Sequence, residues 1–154
     1  MALEHRVHLL LAVDGHRERA ADSHVVERWL VLRQREPERR AFIEAIESAD
    51  ARLMAVATFV EISIVIEARH GAEGLRDLDH FIGRAGIELV PVDSEHGKLA
   101  SSAFSRFGKG RHRAGLNYGD CFSYALAIST GEPLLFKGDD FVHTDVTMVD
   151  LGSR

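Results

Sequence analysis

Arg52-Leu-Met-Ala-Val56 runs without a break into Ala57-Thr-Phe-Val-Glu-Ile-Ser-Ile-Val-Ile-Glu-Ala-Arg69. The first segment is an apolar run of buried-strand length. The second is too long for a strand and is closed by Gly71, so it reads as a helix fed directly by that strand. Thr58 is expected to help cap it. Phe59, Val60, Ile62, Ile64, Val65 and Ile66 cover almost every side of the helix, which places it between other elements. Glu61 stands out in this company. It lies about 240° round the helix from Glu67, so one of the two can be solvated while the other faces inward.

The same alternation extends in both directions. Upstream, Val7 to Val13 reads as a short strand ending in Asp14-Gly15, Arg17 to Ala21 is polar, and Val25 to Leu32 is amphipathic, with Trp29 directed inward. Glu36-Pro37-Glu38 suits a helix start, and Phe42, Ile43 and Ile46 give that helix an apolar face ending near Ala49. Downstream, Leu75, Leu78, Phe81 and Ile82 share one face of a helix over 73–85. Ile87 to Val92 reads as a strand, and Asp93 or Ser94 caps a helix that carries Leu99, Ala100, Ala103 and Phe104 to Gly108. A helix from Asn117 to Thr130 buries Phe122, Ala125 and Leu126 and stops at Gly131. Pro133 to Phe136 is a short buried strand leading to Lys137-Gly-Asp-Asp-Phe141, and a last strand lies near Val146 to Val149. Short apolar strands alternating with helices predict an α/β sandwich with a mainly parallel sheet. Ligands of such sheets bind beyond the carboxyl ends of the strands.

A chain of 154 residues with 45% hydrophobic content fits one domain with one core. The lone Cys121 makes no internal disulfide and reads as a small core residue. Nine histidines show none of the paired Cys/His spacings of a zinc site. The run Val7 to Val13 is too short for a secretory or membrane-spanning segment, so a soluble, cytoplasmic protein is expected, with no membrane partner. A net charge of −5 argues against general polyanion binding but averages over faces.

One local patch departs from that average. In Lys109-Gly-Arg-His-Arg-Ala-Gly-Leu-Asn-Tyr-Gly-Asp-Cys-Phe122 a basic loop runs into an acid at a helix start, with Arg106 just upstream. Asp120 in a first turn gains about 0.3–1 kcal/mol from the helix dipole, which is reason enough for an acid there. Glu61, Asp120 and the pair Asp139 and Asp140 all sit where an α/β topology can bring them together. Two carboxylates about 4 Å apart repel by roughly 4 kcal/mol at an effective dielectric near 20, so such a cluster persists when protonated or bridged by cations. Carboxylate oxygens select Mg²⁺ or Mn²⁺, and the neighbouring Lys and Arg side chains suit a phosphate backbone. Structural readings stand beside these: an internal arginine for Glu61, turn placement for Asp139 and Asp140, and a solvated connection for the loop.

At these residues the chain resembles a known family. The segment 57–69, then Phe107 to Leu126 and Gly131 to Phe141, then Thr144-Asp145, are similar to a PIN-domain ribonuclease of the VapC toxin type. The resemblance covers about Arg35 to Val149. It implies an α/β/α sandwich, Mg²⁺- or Mn²⁺-dependent endonucleolytic cleavage of RNA, homodimerisation, and neutralisation by a VapB-type antitoxin. Carried over residue by residue, the family's helix acid falls on Glu61, its helix-start acid on Asp120, and its acid after the fourth strand on Asp139 or Asp140. On this reading Glu61, Asp120 and Asp139 bind metal, Asp140 assists, and Lys109, Arg111 and Arg113 position RNA.

The N-terminus departs from the pattern. The family begins with an apolar strand ending in Asp-Thr-Ser, a sequence absent here. Asp14 and Glu27 are the two surrogates for that first ligand; Asp14 lies too far upstream of Pro37, and Glu27 sits in a helix-like segment. Residues 35–154 are therefore expected to form a PIN-like domain, with 1–34 an atypical segment within it or appended to it. The abrupt return of the pattern at Arg35 suggests an altered reading frame or a rearranged N-terminus, an expectation that fails if no alternative frame of the coding DNA yields Asp-Thr-Ser at the family spacing. Two competing readings remain: a catalytically impaired PIN-like module that still binds RNA or an antitoxin, and a small α/β hydrolase, disfavoured because no Gly-x-Ser-x-Gly elbow or Gly-rich phosphate loop is present.

Overall fold

A computed structural model describes residues 6–9 and 36–152. Strand β1 (Arg6–Leu9) is followed, among the described residues, by helix α1 (Glu36–Ser48), β2 (Ala51–Ala55), α2 (Val56–Arg84), β3 (Ile87–Val90), α3 (Ser94–Phe107), α4 (Tyr118–Thr130) and β4 (Leu134–Leu135), with a 3-10 turn at Phe141–His143. The sheet order is β3-β2-β1-β4 and every pairing in it is parallel. His8 of β1 pairs with Leu53 on one side and Leu134 on the other, so the strand expected over 7–13 is an inner strand of the sheet at 6–9. The rest of that segment, including Asp14, Glu27 and Trp29, lies outside the described residues.

The pleat divides the core between two faces. Leu53 and Ala55 of β2 meet Leu126 of α4, while Met54 between them faces Phe42, Ile62, Ile66 and Leu78 of α1 and α2. Leu134 and Leu135 split in the same way. Helices therefore cover both faces, as the near-continuous apolar strands require. This is the α/β/α arrangement that the sequence predicts.

Local signals set most helix ends. Asp93 accepts a hydrogen bond from His96 N at 2.8 Å and caps α3. Gly131 adopts φ 72° and ends α4. Gly71, at φ 63° and ψ −158°, breaks α2 where the sequence placed its end, although the helix resumes beyond it. Arg52 closes the end of α1: its Nε donates to Ile46 O and a terminal nitrogen donates to Glu47 O at 3.0 Å, satisfying carbonyls that helix geometry leaves open. The expected strand over 146–149 is reduced to a single bridge between Leu134 and Met148. No helix among the described residues is long and apolar enough to cross a membrane.

Candidate active site

The site forms where α2 leaves β2 and α4 begins. Glu61 lies in the second turn of α2, half-buried, whereas Glu67 is exposed, so Glu61 is the inward member of the pair. Its Oε2 accepts a hydrogen bond at 2.9 Å from the backbone N–H of Gly119. That residue immediately precedes Asp120.

Asp120 is only 4% exposed. The start of α4 is a capping box in which Asn117 Oδ1 accepts from Asp120 N and Asp120 Oδ2 accepts from Asn117 N, both at 2.8 Å. First-turn placement is therefore real for Asp120, and the Gly119–Glu61 hydrogen bond sets α2 against the same turn. Both acids act on Cys121: burial, then the charges of Asp120 and Glu61, push its thiol up to about 12. Cys121 is a core residue and an inert one.

Thr58 does not cap α2. Ala55 is the cap residue, without a side-chain bond, because the helix starts directly from the strand. The Thr58 hydroxyl instead donates to Gly119 O at 3.0 Å and lies 2.9 Å from Ser123 Oγ. Both hydroxyls are buried, at 1% and 4% exposure. Gly119 is thus held from both ends of its backbone by α2, its carbonyl by Thr58 and its N–H by Glu61. A Cβ at 119 would stand 2.0 Å from Glu61 Oε2, so only glycine permits this approach. The sequence held one clue, a glycine in the first turn of an otherwise strong helix.

Electrostatically the Glu61 carboxylate is under-compensated. Burial raises its pKa above the ordinary value, the Gly119 N–H lowers it only in part, and among the described residues no cation counters it. A half-buried carboxylate with this deficit suits a hard divalent cation, and Mg²⁺ in particular is commonly held by one or two carboxylates with water completing its shell. Asp139 and Asp140 follow β4 and are exposed, Asp140 leading into the 3-10 turn. No group of three or more His, Cys, Asp or Glu side chains that could hold a metal ion occurs among the described residues, so these acids do not close a three-carboxylate cage around Glu61 and Asp120.

The basic loop is an ordered structure. Lys109 N donates to Leu116 O and Leu116 N to Phe107 O, both at 3.0 Å, while Ala114 and Leu116 are fully buried beneath it. Lys109, Arg111 and Arg113 project from it exposed, Arg111 lying 5.4 Å over the ring of Phe104. Arg106 is engaged elsewhere. It donates to Asp145 Oδ2 at 2.7 Å, and Tyr124 OH donates to Asp145 Oδ1 at 2.6 Å, a tie between α3, α4 and the C-terminal segment that sequence reasoning missed. The Tyr124 bond, then that of Arg106, holds Asp145 below the usual carboxylate range.

Comparison with known proteins identifies the family. The family model of the PIN domain matches residues 20–146. Ribonuclease VapC30 of Mycobacterium tuberculosis is 52% identical over 116 residues, which are 75% of this chain and 88% of the relative. Ribonuclease VapC of Mycolicibacterium smegmatis is 51% identical over 114 residues, 74% of this chain and 88% of the relative. Ribonuclease VapC28 of M. tuberculosis is 43% identical over 112 residues, covering 72% and 84%. With a parallel sheet flanked by helices, an acid pair at the α2–α4 junction and relatives matched over most of their length, the chain belongs to the PIN-domain family, among the VapC ribonucleases.

Proposed function

We propose that this protein is a Mg²⁺- or Mn²⁺-dependent endoribonuclease and the toxin of a type II toxin–antitoxin pair. The observation that carries the reading is the half-buried, cation-deficient Glu61 carboxylate held against the helix start that fixes Asp120. Glu61 and Asp120 would hold the metal, with Asp139 as a further ligand and Asp140 assisting. Such an ion, when bound, supplies neutralising charge at the phosphate and a water acidic enough to attack near neutral pH.

The chain's own residues do the rest. Gly119 and Thr58 fix the acids, and Lys109, Arg111 and Arg113 hold the RNA backbone by charge. The VapC relatives, named as ribonucleases, support RNA as substrate and a VapB-type antitoxin as partner. A homodimeric assembly and a cytoplasmic location belong to the same proposal. A second reading, an impaired module that binds RNA or an antitoxin without cleaving, is favoured by the lack of a three-acid group among the described residues.

Cleavage of single-stranded RNA with added Mn²⁺, compared with Asp120→Asn, separates the two. Asn can still accept the Asn117 N–H, so the fold should persist while cleavage is lost. Equal activity in both proteins would remove Asp120 from the site, and no cleavage by the parent would favour the impaired module.

A further inference from the structure

The chain has two tyrosines in opposite situations. Tyr124 is 4% exposed and its hydroxyl is bonded to Asp145. Tyr118 is 63% exposed, the most exposed of the large apolar and aromatic side chains among the described residues. Its ring is not loose. Phe122, one turn further along α4 and itself packed into the core, meets it at 4.9 Å with the planes tilted by 58°. One side of the Tyr118 ring is thereby supported while the other is left to solvent.

Its position along the backbone is the second observation. The peptide group joining Tyr118 to Gly119 is the one whose N–H donates to Glu61 Oε2. The ring is therefore rooted one peptide unit from the acid pair. On the other side, the loop bearing Lys109, Arg111 and Arg113 ends at Asn117, directly before Tyr118. Phe104, the exposed aromatic on the upstream side of the loop, already carries Arg111 over its ring. Exposed cations, a braced aromatic and the buried Asp120 thus follow one another along the chain, with the half-buried Glu61 bonded to the peptide between the last two. These are the groups that a single strand requires: charge for the backbone, a π-face for a base, and acids at the scissile bond.

We propose that Tyr118 is a stacking platform for an unpaired base of the RNA substrate beside the bond that is cut. The proposal rests on the nuclease reading above and deepens it, making the substrate one with an unstacked base at the cleavage site. Stacking on a tyrosine is tolerant of base identity, so the residue selects for single-stranded structure more than for sequence.

The test uses the full chain and Tyr118→Ala, Tyr118→Leu and Tyr118→Phe. Kinetics are measured with Mn²⁺ on a single-stranded RNA, and binding is followed by quenching of a 2-aminopurine in that RNA in the Asp120→Asn background. Tyr118→Ala should raise KM by roughly 5- to 150-fold with kcat changed little. Tyr118→Leu, which keeps apolar bulk without a π-face, should behave alike, and Tyr118→Phe should restore the affinity. The quench should disappear in the Ala and Leu variants while melting temperatures stay near the parent's. A parent that cleaves RNA, with KM and quench unaltered in both Ala and Leu variants, overturns the stacking role alone and leaves Tyr118 to a protein partner. A Tyr118-dependent quench in a protein without metal-dependent cleavage retains the platform and rejects the nuclease reading.

Discussion

Gly119 donates its backbone N–H to Glu61 Oε2 at 2.9 Å, and the space a Cβ would need at residue 119 lies 2.0 Å from that same oxygen. Replacing a helical glycine by alanine ordinarily stabilises by about 0.5–1 kcal/mol. Gly119→Ala should weaken Mn²⁺ binding, because the added Cβ displaces the Glu61 carboxylate, while the melting temperature without metal should not fall, since the displaced carboxylate escapes its burial penalty. Gly97→Ala in α3, where nothing lies within 4 Å of the added Cβ, should show the ordinary gain. Thermal melts and metal titration of the two variants check this. Intact metal binding in Gly119→Ala would show that Glu61 does not depend on this approach.

Thr58 holds the other end of the same peptide. Thr58→Val keeps the shape of the side chain but strands the Gly119 carbonyl and the Ser123 hydroxyl, a loss of about 1–3 kcal/mol. Thr58→Ser keeps the hydroxyl and gives up one methyl group, about 0.8 kcal/mol. Denaturant unfolding should rank Ser above Val, and Mn²⁺ affinity should fall in Val only. Equal metal affinity in the two variants would make Thr58 a packing residue without influence on the acids.

The raised pKa of Glu61 gives stability a definite pH dependence. Because burial makes the folded protein hold this proton more tightly than the unfolded chain does, the stability it contributes is present in full below the ordinary value of 4.5. It is lost as pH rises through the raised value. In the absence of metal, Glu61→Gln should therefore melt above the parent at neutral pH, and the gap should close on acidification below about 4.5. Added Mn²⁺ should reverse the order by stabilising only the parent. Melting curves at several pH values, with chelator and with Mn²⁺, provide the measurement; a gap independent of pH would locate the effect outside the carboxylate.

The basic loop is held by its own backbone and by Ala114 and Leu116, so its charged side chains are free to act on a ligand. Converting Lys109, Arg111 and Arg113 to Ala should weaken RNA binding across sequences and reduce its salt slope by roughly 0.7 for each phosphate that is no longer neutralised. Melting temperature and metal affinity should change little. RNA affinity at several salt concentrations tests this, and an unchanged slope with weakened metal binding would make the loop a clamp for α4.

Much of the architecture was written locally. The apolar run 52–56, the breaks at Gly71 and Gly131, the cap at Asp93 and the first-turn place of Asp120 depend on periodicity, backbone freedom and short-range hydrogen bonds, which neighbouring residues determine. Opposite orientations of Glu61 and Glu67 follow from the pitch of one helix. The strand over 146–149 was overestimated because β propensity says nothing about whether a partner strand is long enough to pair with, and β4 offers two residues.

What joins the site was decided in three dimensions. Glu61 meets Gly119 across 58 positions, Thr58 meets Ser123 across 65, and Arg106 is drawn to Asp145 across 39. The first two pairs exist because two helices pack on a common sheet, and the third because the C-terminal segment folds back on α3; no local preference of either partner encodes those separations. The sequence by itself determined the α/β order, the acids and the basic loop. Tertiary packing decided that a glycine amide would carry Glu61, that the Thr58 hydroxyl would bind α4 and not cap α2, and that Tyr118 would stand exposed against Phe122, because those outcomes depend on which surfaces close upon one another.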